Sequence, residues 1–218
     1  AALAAPSVAM QNVRLELGRV GDITLRMLHD IRPAFQDRDK DKLADIARRD
    51  DEVDILEAEI LRYLGKVRQG LLTEAESHEQ QALMMATDNL ENLADVIETD
   101  LVALGYKAVE LTSRSSDETR ELLVAFYTTI TESVEAAVKS VRDNDQRAAE
   151  TVLMMKDSVR AQSEGLLMRK AQHLTGDDQD YLELVRLEMT FVDQMRRMYT
   201  LSKRIAKVVL PAVLANQD

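Results

Sequence analysis

The chain has no cysteine and no tryptophan, only three prolines and seven glycines in 218 residues, and 4% aromatic side chains. Zero cysteine excludes a disulfide scaffold, thiolate catalysis and cysteine-held zinc or iron–sulfur centres. Long hydrophobic runs are missing too. The longest uncharged stretch, Ala1–Val13, falls well short of the ~20 residues that cross a bilayer, and no basic segment followed by an apolar one marks a signal peptide. An excess of positive charge is also lacking: the formal net charge is −11, which argues against general nucleic-acid binding. No Gly-rich phosphate loop, G-x-S-x-G or other nucleophile motif is present, so no enzymatic activity is expected. The chain begins at Ala1 rather than Met, which fits processing or a piece of a longer protein.

What remains is an ordinary globular composition, 45% apolar and 31% charged, in a chain long enough to bury a core without covalent staples. The charge is uneven. Residues 1–110 carry 13 Lys/Arg against 22 Asp/Glu, and residues 111–218 carry 15 against 17. The first half is therefore the better candidate for binding cations.

Proline is the best ruler of the fold, because Pro6, Pro33 and Pro211 leave Ala34 to Leu210 free of the strongest helix breaker. Apolar residues recur at intervals of three and four. Leu122, Phe126, Ile130, Val134, Val138 and Val141 make one such face; Leu83, Leu90, Leu93, Ile97, Leu101 and Leu104 make another. The pattern predicts an all-α protein of six long helices, about Val8–Phe35 (containing Gly18 and Gly21), Asp41–Val67, Thr73–Leu111, Asp117–Arg142, a fifth reaching Leu174 and stopped at Gly176, and Asp177–Leu210. Thr73 with Glu76 reads as a capping box, and Ser116 with Thr119 as a helix start. Short turns force antiparallel neighbours. The expected architecture is two tandem antiparallel three-helix bundles, residues 1–111 and 112–218, joined by the polar linker Thr112–Ser116. The halves read as an internal duplication: Ala47–Asp54 aligns with Leu153–Arg160, and Asn89–Asp95 with Phe191–Arg197.

The sharpest chemical feature is a pair of carboxylate motifs. Asp50 and Asp54 stand at i and i+4 on the second helix, and Glu91 and Asp95 do the same on the third. On antiparallel helices the four face one another, a repulsion relieved by protonation or by a cation. Hard oxygen donors suit magnesium, manganese, calcium or iron; Asp51, Asp88 and Glu98 extend the set. The same spacing also fits a solvated face of an acidic protein. In the second half the aligned positions are Lys156, Arg160, Asp193 and Arg197, which exclude a second cation site and suit either an anion or surface salt bridges. His29, His78 and His173 lack ligand spacing and read as surface residues. The ten methionines read as pliable core. Five cations with no acid between Arg196 and Lys207 fit a membrane surface, an acidic partner, or a helix complementing its own C-terminal dipole.

Two three-helix bundles carrying E/D-x-x-x-D motifs resemble the PhoU family of phosphate-uptake regulators. The matching stretches are Asp50-Asp51-Glu52-Val53-Asp54 with Leu56-Glu57, and Asp88–Asp95, which is similar to an N-x-L-E-R-I-G-D signature with Asn92 for Arg and Ala94 for Gly. Ala1–Met10 and Arg14–Leu28 resemble the segment that joins the last membrane span of bacterial sodium/phosphate cotransporters to their cytoplasmic PhoU-like domain. The resemblance implies a non-catalytic regulatory domain of a sodium-dependent phosphate cotransporter on the cytoplasmic side of the cell membrane. Its alternative is a free-standing cytoplasmic PhoU regulator of an ABC phosphate transporter and sensor kinase. It implies metal ligands at Asp50, Asp54, Glu91 and Asp95 with iron or zinc as the ion; taken with the oxygen-donor chemistry, the candidate ions are iron, zinc, manganese or magnesium. The partners expected are a membrane-embedded phosphate transporter, in the same chain or separate, the inner membrane surface and a second copy in a homodimer, with no nucleic acid. A di-metal carboxylate enzyme is disfavoured because Glu-x-x-His pairs are absent.

Overall fold

A computed structural model describes residues 5–68, 70–172 and 178–211. Among these residues the regular structure is entirely helical. In the first half, α1 is Pro6–Asp37, α2 Lys40–Arg48, α3 Asp50–Val67, α4 Glu74–Asp95 and α5 Val102–Glu110, with a π-helical segment Val96–Leu101 between the last two. In the second half, α6 is Asp117–Asp143, α7 Gln146–Met154, α8 Lys156–Gln172 and α9 Gln179–Lys207. Six long rods are thus present, but three are interrupted: the second lapses for one residue at Arg49, the fifth at Met155, and the third contains the π segment. Gly176, His173 and the end of the fifth helix near Leu174 lie outside the described residues.

The boundaries follow from local chemistry. Pro6 opens α1, where its missing N–H has no partner to lose. Pro33 sits in the interior of the same helix, near its end. The Thr73–Glu76 capping box forms in full, and the Ser116 hydroxyl accepts from the Thr119 N–H. At the first corner Arg38 turns left-handed, φ 52°, and Asp39 caps α2 by accepting from the N–H groups of Asp41 and Lys42. At the second corner Asn144 turns left-handed, φ 52°, and Asp145 caps α7 by accepting from Arg147 and Ala148. Arg38 and Asn144, Asp39 and Asp145, Arg49 and Met155 all pair at one constant offset, so the duplication is written in the backbone as well as in the apolar phase.

The two halves meet along α1 against α6 and α4 against α9. Glycine sets the closeness of the first contact. A Cβ at Gly18 would stand 2.7 Å from the Arg142 stem, and one at Gly21 would overlap the Val138 side chain. Buried Arg14 crosses the same junction, donating to Glu79 of α4 at 3.0 Å and to the Val141 carbonyl of α6 at 3.1 Å. The core is one continuous cluster that draws on both halves, from Met10 and Leu17 through Leu90 and Leu101 to Phe126, Met195 and Ile205. All six apolar residues of the expected Leu83–Leu104 face are buried; of the α6 face, Leu122 is exposed. The methionines divide. Met10, Met27, Met195 and Met198 are core, whereas Met85, Met154 and Met168 are exposed.

A candidate cation-binding face

Three acids, Asp50, Asp51 and Glu52, form the first turn of α3, where the helix dipole favours negative charge. They stand there because the rod breaks at Arg49. The Arg49 guanidinium holds the break, bonding Asp30 of α1 and Asp45 of α2, and Asp50 restarts the helix as α3, which packs against α4. Along α3, Asp50, Asp54 and Glu57 succeed one another at intervals of four and three. Along α4 and the π segment, Asp88, Glu91, Asp95 and Glu98 do so at three, four and three. The two stripes face each other.

Their electrostatics show how close they are. Burial, followed by the charges of Asp54, Glu98, Asp95 and Glu91, pushes the Asp50 carboxyl up to about 7. Burial, then Glu57, Asp95, Asp54 and Asp88, raises Glu91, and burial with Asp88 and Asp54 raises Glu57. The Asp50 Oδ1 atom is buried with no hydrogen-bond partner among the described residues. Thr99 satisfies part of the far end, its hydroxyl lying against Asp95 and Glu98. The structure thus brings all four expected residues near one another, with Asp88 and Glu98 of the expected extension, and adds Glu57. Asp50, Glu91 and Asp95 are half-buried and Asp54 is exposed; Asp51 is exposed and stands apart from the stripe. Among the described residues, no three carboxylate or imidazole side chains converge as they stand into a cage for a metal ion. The donor set, all carboxylate oxygen with one orphaned and buried, is that of a hard cation.

The second half uses the same backbone differently. Lys156 opens α8 as Asp50 opens α3. Arg160 bonds Asp157 at 2.9 Å, Asp193 lies 3.9 Å from Arg196, and Arg197 reaches across to Asp100 of the π segment at 3.1 Å. These are ion pairs, and Arg197 in particular ties the second half to the first beside the acidic face. His29 lies on the surface 3.3 Å from Glu135, and His78 is exposed. Of the basic run on α9, Lys203 stands over the Tyr199 ring at 5.4 Å. Among the described residues no helix is long and apolar enough to cross a membrane.

Fold and face together define an all-α, internally duplicated helical bundle that presents paired carboxylate stripes from the second and third rods of its first half. The PhoU domain family matches residues 17–99, which contain both stripes. The whole chain superposes on PhoU from Pseudomonas aeruginosa with a TM-score of 0.82 at 16% identity, covering 93% of this chain and 96% of that one. It superposes on the phosphate transport system regulatory protein PhoU from Streptococcus pneumoniae with a TM-score of 0.81 at 10% identity, covering 94% and 95%. Residues 17–99 thus match a PhoU domain, and the chain has the all-α fold of the PhoU structures. A curated relative from Salmonella typhimurium, YjbB, whose name assigns it provisionally to inorganic phosphate export, is 22% identical over 209 residues. That match takes in 96% of this chain and 38% of the relative, so the chain spans about two fifths of the length of the relative it matches.

Proposed function

We propose that the chain is a non-catalytic regulatory module of phosphate transport. The observation that carries this reading is the PhoU fold over 93–94% of the chain, together with the PhoU domain match at residues 17–99, which hold both carboxylate stripes. The better supported form is a free-standing PhoU regulator acting on an ABC phosphate transporter and a sensor kinase, because the two PhoU proteins match over 96% and 95% of their own lengths. A second form is the same module as the cytoplasmic domain of a sodium-dependent phosphate cotransporter. It is supported by the alignment with 38% of a longer protein named for phosphate export. In both, the partner is a membrane-embedded transporter and the working place is the cytoplasmic face of the membrane.

Deleting the coding segment in its source cell and following radiolabelled phosphate tests the reading. Uptake that no longer falls in phosphate-rich medium is the expected result, and unchanged uptake and repression overturn it. An immunoblot separates the two forms: a band near 24.6 kDa in the soluble fraction supports the free regulator, and a larger one in the membrane fraction the fused domain.

The carboxylate face is proposed as a cation site held by Asp50, Asp54, Glu91 and Asp95, with iron, zinc, manganese or magnesium as the ion. A bound cation would neutralise the stripe and supply charge, not chemistry. Protein purified without chelator and reconstituted with each metal should retain it and melt at a higher temperature, and Asp50→Asn with Glu91→Gln should lose both effects. Wild-type protein that stays metal-free after reconstitution excludes the site.

A further inference from the structure

Away from the acidic face, a cavity of about 550 Å³ opens between the C-terminal ends of α1 and α5, the linker, and the N-terminal halves of α6 and α9. That volume is within the ~300–1,000 Å³ of small-molecule sites. Its floor is apolar and aromatic. The Phe35 and Phe191 rings meet edge to face, with centroids 5.9 Å apart at 63°. Tyr127 lies beside them, its hydroxyl committed to the Leu28 carbonyl.

The rim is basic. Arg32, Arg38, Arg114 and Arg120 all line it, an unusual gathering in a chain of net charge −11. Two of them already have structural work. Arg38 donates to the Leu111 and Ser113 carbonyls, and Arg120 to Asp117. Arg32 and Arg114 are exposed and make no hydrogen bond or ion pair among the described residues. One carboxylate stands in the wall: Glu188, 2% exposed, accepting from the Ser115 hydroxyl.

We propose that this cavity binds a nucleotide, with its base against the Phe35 and Phe191 rings and its phosphate on Arg32 and Arg114. The planar guanidinium fork matches phosphate oxygens. Every base offers a flat face to aromatic side chains. The wall carboxylate repels a deep phosphate, which orients the ligand with base inside and phosphate at the rim. Inorganic phosphate would use only the rim and leave the aromatic floor uncovered. An alkyl phosphate would cover the floor but offer no flat face to the Phe35 and Phe191 rings. Because the walls come from both halves and the linker, an occupied cavity ties the two bundles together. The proposal stands on the cavity alone and goes beyond the phosphate-transport reading.

Calorimetric titration of the full chain with AMP, GMP and ATP, and separately with adenosine, guanosine, inorganic phosphate and decyl phosphate, tests it. At least one nucleotide should bind about tenfold or more tightly than its nucleoside, inorganic phosphate and decyl phosphate, and should raise the melting temperature. The double variant Arg32→Ala/Arg114→Ala should melt as the wild type does and lose about tenfold or more of that affinity; Phe191→Leu should weaken the base without restoring inorganic phosphate. Three results overturn the proposal: no nucleotide binding at millimolar concentration, inorganic or decyl phosphate binding as tightly as any nucleotide, or undiminished nucleotide binding by the double variant.

Discussion

Asp50 carries two unfavourable conditions at once, an orphaned buried oxygen and four like charges around it. Its carboxyl is held up to about 7 when folded and ionises near 3.9 when unfolded. Between those values the folded protein holds a proton that the unfolded chain has released. Its contribution to stability therefore falls as pH rises through that window and levels off above about 7. In chelator-treated protein, Asp50→Asn should leave stability at pH 4 nearly unchanged. At pH 8 it should add about 1–2 kcal/mol, discounted for partial exposure; urea denaturation at the two pH values reads the difference. An equal gain at both would show that the carboxylate is not strained by its neighbours. Arg14 is the opposite case. Its guanidinium is buried and fully engaged by Glu79 and the Val141 carbonyl, and Arg14→Ala leaves a carboxylate and a carbonyl of two other helices without it. Because Glu79 is partly exposed, the expected loss is about 2–3 kcal/mol, measured by the same denaturation.

At the scale of the element, glycine decides the junction between α1 and α6. Gly21→Val places a branched side chain onto Val138, and one of the two helices must move; a loss of about 2–3 kcal/mol is expected, checked by thermal melting. Gly65, with nothing near its Cβ position, supplies the contrast: Gly65→Ala should be neutral or stabilise by up to about 1 kcal/mol. The ends of these rods were legible in the sequence because each is set by a few adjacent residues. The Thr73–Glu76 box, the Ser116 cap and the turns at Arg38 and Asn144 are local chemistry. The breaks at Arg49 and Met155 and the π segment Val96–Leu101 were not legible. No glycine or proline marks them, and the break at Arg49 is held by a partner, Asp30, on another helix. The same limit applied to the site. Asp50, Asp54, Glu91 and Asp95 could be found from i,i+4 spacing, and Glu57 could have been found by extending that stripe by three. The burial of Asp50 depends on how α3 packs against α1 and α4 and could not.

At the scale of the whole molecule, the continuous core makes the two halves one thermodynamic body. Calorimetry of the apo protein should show a single transition with equal calorimetric and van't Hoff enthalpies. Residues 1–111 and 112–218 expressed apart should each be poorly folded, because each would expose its side of the α1–α6 and α4–α9 contacts. Two resolved transitions, or two stable fragments, would make them independent domains instead.

The breaks at Arg49 and Met155 are one scaffold repeated, followed by acids in the first copy and by Lys156 and Arg160 in the second. The molecule consequently carries its own reference channel. A dissolved ion that perturbs spectroscopic probes beside both breaks acts as bulk electrolyte, and one that perturbs only the probe beside Asp50 has been recognised. A single labelled sample can make that distinction without any comparison protein.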